Sequence, residues 1–255
     1  MNVLRKKLAD KKRISGTLVC LDDPCLCEIM GHAGYDLVWI DTEHSYLSYR
    51  DVLCHLNAAR SVGIASMVRL PQHDLTATKK ILEMRPDAIL FPMVHSAEEA
   101  EELIRATLYP PHGTRGFGPM RAIRYGFDDA AQYVKQGSLE MCRFIQIEDL
   151  HLIDELKAVA QNPYVDGFIF GPNDLSGSAG DFLNVFDEVT VQPMKRAMSI
   201  ARQYRKTVGI AGGMDDTSVR FWAQLDPDIL ICGADWNFVS TAAKDTLDRL
   251  TQYGY

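Results

Sequence analysis

The sequence predicts a single-domain (β/α)8 barrel of the TIM type, covering residues 1–255. Three observations predict it. The length, 255 residues, matches the ~250 residues typical of that fold. Short, continuously apolar, β-rich runs recur along the chain, as parallel strands covered on both faces require. Longer stretches with helical spacing separate the runs, which is the rhythm of repeated βα units.

The elements follow in order. A charged, helix-forming segment, Met1 to Arg13, precedes the first strand, Ser15–Cys20. Asp23 stands where the N-cap of the next helix would fall. The second strand is Leu37–Asp41, and the helix after it places Leu53, Leu56 and Ala59 on one face. The third is Ala65–Arg69 and the fourth Ala88–Pro92. Ser96 then reads as an N-cap, with Glu98 and Glu99 in the first turn. Ala97, Ala100, Leu103 and Ile104 form the apolar face of that helix. The fifth strand is Cys142–Ile147, followed by a helix with Leu152, Leu156 and Val159 on its face. The sixth, seventh and eighth strands are Gly167–Phe170, Val208–Ala211 and Ile229–Gly233. An open doubly wound sheet is the alternative. It lacks its phosphate cradle here, because no G-x-G-x-x-G follows the first strand and no P-loop occurs.

Composition narrows the function. Hydrophobic residues make up 47% and charged residues 24%, ordinary for a globular chain with a large core. The formal net charge of -7 and the lack of a basic run argue against nucleic acid and anionic membranes as partners. No apolar run approaches the roughly 18 to 20 residues that span a bilayer. The amino terminus has no h-region, so a cytoplasmic location is expected. The six cysteines are scattered, and Cys25-Leu26-Cys27 has the wrong spacing for a zinc knuckle or a redox pair. Reduced thiols are expected, with Cys20, Cys142 and Cys232 packing as small hydrophobes.

In such a barrel the active site lies at the carboxyl ends of the strands. That rule selects Asp41, Glu43 and His44 after the second strand, Arg69 after the third, Gln146 and Glu148 after the fifth, and Asp174 after the sixth. Glu148 and Asp174 are carboxylates on neighbouring strand ends, suited to a hard divalent ion that keeps several waters. Singly, Glu148 also fits a helix-start acid and Asp174 a turn residue. Together, with Gln146 beside them, they favour a site. His44 suits proton transfer near neutrality, whereas His32, His55, His95 and His151 read as surface or packing residues. Arg69 can hold an oxo-acid oxygen and stabilise enolate charge, or pair with a barrel carboxylate. Small residues from Gly171 to Gly180 allow main-chain amides to approach an anion. The glycine-rich, basic stretch Gly113–Gly118, with Arg121 and Arg124 after it, has no obvious place in the barrel. It could read a second anionic group or pack against a neighbouring subunit.

An ordered set of motifs runs from Leu37 to Gly180: Ile40-Asp41-x-Glu43-His44, Val68-Arg69, Pro92-Met93-Val94, Tyr109-Pro110-Pro111-x-Gly113-x-Arg115-Gly116, Ile145-Gln146-Ile147-Glu148, and Val165-Asp166-Gly167-x-x-x-Gly171-Pro172-x-Asp174-Leu175-Ser176. The set resembles the class II, metal-dependent pyruvate aldolases of the HpcH/HpaI family, which includes 4-hydroxy-2-oxoheptanedioate and 2-dehydro-3-deoxyglucarate aldolases. The resemblance implies a lyase that reversibly cleaves a 4-hydroxy-2-oxo acid to pyruvate and a small aldehyde, in aromatic or sugar-acid catabolism. It implies Mg2+ or Mn2+, with Co2+ an option, held by Glu148 and Asp174. It places the pyruvate carboxylate on the amides of Asn173 and Asp174, and Arg69 on the keto oxygen. Gln146 orders the site. His44 activates a water, backed by Glu83, where family members often carry Asp. Arg121 is expected to meet an acidic aldehyde, with specificity in loops such as Arg115 to Tyr125 and Phe182 to Asp187. A homohexamer is implied, its last helix packing on a neighbour. No strand end carries a Lys for Schiff-base chemistry. The enzyme alternative is a related lyase or isomerase on a phosphoenolpyruvate-like or malyl-thioester substrate. The non-enzyme alternative is a silent barrel, which would be expected to lack one of Glu148, Asp174, Arg69 or His44.

Overall fold

The computed structural model describes residues 2–10 and 13–255. The part of the leading-helix expectation that falls on Met1, Lys11 and Lys12 lies outside the described residues. The remainder forms α1 (Val3–Ala9).

Eight parallel strands close into a barrel in chain order. They are β1 (Ile14–Val19), β2 (Leu37–Asp41), β3 (Ala65–Arg69), β4 (Ala88–Phe91), β5 (Cys142–Ile147), β6 (Gly167–Phe170), β7 (Thr207–Gly212) and β8 (Ile229–Ala234). Each expected strand is present, and no end differs by more than one residue. β8 returns to pair with β1, Ile14 opposite Ile229, with a register shift between Gly16 and Leu18.

Two apolar layers hold the wall. Inside, Trp39, Met67, Leu90, Phe144, Ile169 and Ile231 meet in one cluster. Leu4 of α1 is fully buried in the same cluster and closes the barrel at its amino end, a contribution of about 2 kcal/mol by side-chain burial. Outside, the other strand face packs on the helices: Ile40, Val68, Ile89, Ile145 and Phe168 meet Leu56, Ile104, Leu156 and Met198. Residues two apart share a face of a strand, so each apolar run divides between these layers.

The helices follow the sequence signals closely. In α3 (Tyr49–Ser61), Ser48 forms a capping box with Asp51 and the helix buries Val52, Leu56 and Ala59. Ser96 caps α5 (Ala97–Ala106), accepting the Glu99 amide. The start of α2 (Cys25–Ala33) differs by one residue: Pro24 occupies the cap position, and Asp23 accepts the Cys25 amide from the residue before. After β3 comes α4 (Leu75–Met84), and after β4 comes α5. Between α5 and β5 the chain makes an excursion of short helices, including a 3-10 segment over Arg121–Gly126 and α6 (Ala130–Lys135). Then follow α7 (Leu150–Gln161), α8 (Pro172–Ser178), α9 (Glu188–Gln203) and α10 (Asp216–Gln224).

The last helix, α11 (Asp235–Gln252), departs from the pattern. In its 18 residues only Asp235 is buried, and Trp236, Val239, Leu247 and Leu250 are exposed. All six cysteines are free thiols.

Candidate active site

Strand periodicity aims the candidate residues. Trp39 and Met67 belong to the interior cluster, so Asp41 and Arg69, two residues further on, enter the barrel mouth from within. β2 and β3 pair with Asp41 directly beside Arg69. Arg69 donates from Nε to Asp41 Oδ1 at 2.9 Å and from Nη2 to Oδ2 at 2.5 Å. Its Nη1 lies 3.2 Å from Glu43 Oε2, and its guanidinium carbon sits 4.8 Å from the centre of the Trp39 ring. Two carboxylates and one aromatic ring thus hold this long side chain from three sides.

Asp41 also accepts the amides of Glu43 at 3.0 Å and His44 at 3.4 Å, which folds the β2 exit back over the strand end. Burial opposes ionisation of Asp41, but Arg69 and these amides outweigh it and hold the carboxyl below its ordinary range. Glu43 shifts the other way. Burial raises it against the pull of Arg69 and His44, and the charges of Asp41 and Asp174 add to the rise. His44 projects outward, 64% exposed, with Nε2 3.5 Å from Glu43 Oε2.

On β5, Phe144 faces the interior, so Gln146 does too and Glu148 continues the same face at the strand exit. Glu148 is only 3% exposed. Its Oε2 accepts the Met93 amide at 3.0 Å, and its Oε1 accepts from Gln146 Nε2. Burial, reinforced by the charge of Asp174, pushes the Glu148 carboxyl up to about 8. The Gln146 Oε1 is buried without a hydrogen-bond partner among the described residues. Gly171 caps α8, and its amide donates to Ile147 O at 3.1 Å, drawing the β6 exit against β5. Any Cβ at Gly171 would come within 2.9 Å of Glu148 Oε1 and 3.0 Å of Gln146 Nε2.

These strand ends surround a cavity of about 700 Å³ lined by His44, Arg69, Gln146, Asn173, Asp174 and Trp236 among others. That volume lies within the range of small-molecule sites. Among the described residues, no three His, Cys, Asp or Glu side chains converge as a ready-made metal cage. The donor set is instead two carboxylates, Glu148 and Asp174, with the unpartnered Gln146 oxygen nearby. That set fits a hard octahedral ion completed by water and substrate oxygens, and a cation would favour the charged carboxylate that burial, and then the charge of Asp174, disfavour at Glu148.

Two expected residues lie elsewhere. Glu83 is on the last turn of α4 and accepts from Arg115 Nη2 at 2.9 Å, so the chain does not bring it to His44. Arg121 donates to the Met84 carbonyl and to Asn57 Oδ1, beside the starts of β3, β4 and β5 rather than at the mouth. Both placements within the single chain have one cause. A helix after a strand runs back towards the amino end of the barrel, and a segment between a helix and the next strand stays there. Of the other histidines, His55 is buried and contacts the Asp51 and Leu21 carbonyls. His95 and His151 both pair with Asp149. Sequence inspection missed Trp39 as a support for Arg69, the Met93 amide as a clamp on Glu148, and the need for glycine at 171. Only Trp39 left a signal, its two-residue offset from Asp41.

Residues 15–217 match the HpcH/HpaI aldolase/citrate lyase family. The chain belongs to this family. It is an enzyme, and the family's chemistry is that of an aldolase. A hydroxypyruvate/pyruvate aldolase of Roseovarius nubinhibens is 30% identical over 97% of this chain and 96% of its own length. A 4-hydroxy-2-oxovalerate aldolase of Rhodococcus jostii is 28% identical over 100% of this chain and 98% of its own. The crystal structure of a family member from Burkholderia cenocepacia superposes with a TM-score of 0.90 at 26% identity, covering 98% of this chain and 100% of that one.

Proposed function

We propose that this aldolase reversibly cleaves a 4-hydroxy-2-oxo acid into pyruvate and an aldehyde, using a divalent ion, Mg2+ or Mn2+, held by Glu148 and Asp174. The observation that carries the reading is Asp174 and the free Gln146 oxygen on the wall of the mouth, with the buried Glu148 bonded to Gln146 and feeling the charge of Asp174, in a barrel whose Arg69 is held by Asp41. The ion, when bound, would polarise the 2-oxo group as a Lewis acid.

The chain's own residues do the rest. Arg69 donates to the keto oxygen and steadies the enolate charge that develops there. Asp41 and Trp39 keep that guanidinium still. First-turn amides of α8, at Asn173 and Asp174, lack intrahelical acceptors and suit the substrate carboxylate. His44 lies at the rim and takes the proton from the C4 hydroxyl through a water. The C3–C4 bond then breaks, C4 leaves as the aldehyde carbon, and the electron pair passes to the enolate of pyruvate. Protonation at C3 completes the cleavage. Arg121 lies outside this mouth in its own chain, so the aldehyde specificity proposed here rests on the rim side chains Tyr46 and Trp236.

The same reading includes a homo-oligomer, supported by the apolar residues that α11 leaves uncovered, and a reducing cytoplasmic setting, supported by six unpaired cysteines. Exchange of pyruvate methyl protons with deuterated water, followed by NMR, tests enolisation without needing the right aldehyde. Exchange that requires Mn2+ or Mg2+ and stops with EDTA supports the proposal. Metal-independent exchange would refute it.

A further inference from the structure

The amino end of the barrel holds a second cavity, of about 450 Å³, between the starts of β3, β4 and β5 and the end of α4. It shares no lining residue with the mouth cavity. Five arginines line it, Arg60, Arg85, Arg115, Arg121 and Arg124, in a chain whose formal net charge is -7.

The nearby carboxylates are already committed. Asp87 accepts the amides of Val3 and Ser66, both at 3.0 Å, and the Ser66 hydroxyl at 3.2 Å. Asp128 is gripped by Nε and Nη2 of Arg124. Glu83 is taken by Arg115. The third lining carboxylate, Glu140, makes no ion pair with these arginines. Among the described residues, Arg60 and Arg121 therefore have no carboxylate in ion-pair contact, and Arg85 reaches Asp128 only at 3.5 Å. Arg121 is pushed below the ordinary guanidinium range by burial and by the like charges of Arg60 and Arg85. The buried Arg115 also keeps its Nε without an acceptor among the described residues. Backbone strain collects around the same cavity. Arg85, Arg124 and Tyr125 hold φ of 58°, 48° and 59°, a left-handed conformation that costs non-glycine residues energy and gathers at ligand clamps.

We propose that this cavity is a second ligand site, for a compact polyanion carrying at least two phosphoryl or carboxylate groups, held by Arg60, Arg85 and Arg121. Guanidinium forks match such oxyanions in two-point contacts, and the cavity volume is that of a small-metabolite site. The three arginines come from α3, the end of α4 and the 3-10 segment. A bound anion therefore ties together three elements that their own charges push apart.

Inorganic pyrophosphate and citrate are the probes. Each is titrated calorimetrically into the full chain without metal, with EDTA present and ionic strength held constant by sodium chloride. Saturable binding at one site per chain is expected. Tighter pyrophosphate binding would assign the phosphoryl class, and tighter citrate binding the carboxylate class. Arg60 is exposed and makes no side-chain hydrogen bond among the described residues, so Arg60→Gln should fold. It should weaken binding by roughly 10-fold or more, the loss expected for a charged hydrogen bond. Arg85→Gln should act in the same direction. Binding that survives both substitutions unchanged, or no saturable heat beyond the sodium chloride control, would overturn the proposal. Neither outcome bears on the metal-dependent exchange of pyruvate, so the two readings fail separately.

Discussion

Asp41 and Arg69 stand side by side across the β2–β3 pairing and join through two parallel hydrogen bonds in the barrel mouth. A buried pair of this kind is costly to break by halves, because the abandoned charge stays behind. Asp41→Asn should lower stability at pH 7 by about 3–5 kcal/mol. The folded-state pKa of Asp41 is depressed. Its stabilising contribution is therefore complete above the unfolded value of about 3.9 and is lost as pH falls through the folded value. Urea midpoints of parent and variant should converge in strong acid. A gap that stays constant from neutral pH to about 2.5 would contradict this ionic account.

Glu148→Gln and Asp174→Asn should each abolish metal-dependent exchange of pyruvate protons. Lewis-acid stabilisation is worth several kcal/mol, so the rate should fall by about a thousandfold. Metal titration by calorimetry should show the same loss. A variant that keeps both the affinity and the exchange would remove that residue from the site.

Gly171→Ala tests the close approach of α8 to β5. The added methyl would meet Glu148 Oε1 and Gln146 Nε2 at 2.9 and 3.0 Å. Displacement of catalytic groups by as little as an ångström can cost on the order of 100-fold. Exchange should drop to that extent while circular dichroism stays that of the parent. Full activity would show that the β6 exit can yield.

His44 and Glu83 should separate by phenotype. His44→Ala should lower aldol cleavage by about 10²–10⁴-fold, the range for loss of a general base, with little change in melting temperature. Glu83→Gln strands the buried Arg115 and should cost about 3–5 kcal/mol of stability in urea melts. An unchanged urea midpoint for the Glu83 variant would show that Arg115 does not depend on it.

The strands were legible because both of their faces are buried, which leaves uninterrupted apolar runs such as Phe144-Ile145 and Gly167-Phe168-Ile169. Asp41, Arg69 and Glu148 were legible as polar groups gathered at the carboxyl ends of the strands because they follow those runs abruptly. The pairing of Asp41 with Arg69 was not, because it depends on register between strands, and an apolar run buried on both faces carries no register mark. The positions of Glu83 and Arg121 could have been read from chain direction. Glu83 falls at the end of a ten-residue helix that descends from the mouth, and Arg121 precedes β5 with no strand between. The Met93 amide and Gly171 were illegible because their roles are contacts between loops distant in sequence.

Asp235, the first residue of α11, is the single buried residue of that helix, and its carboxylate gathers three main-chain amides. One oxygen accepts the amides of both Cys20 and Leu21, at 2.9 Å each, and the other accepts the amide of Trp236 at 2.8 Å. Leu21 and Trp236 both belong to the wall of the mouth. The start of the last helix and the exit of β1 are thus bound to one carboxylate, which fixes the spacing between two sides of the entrance.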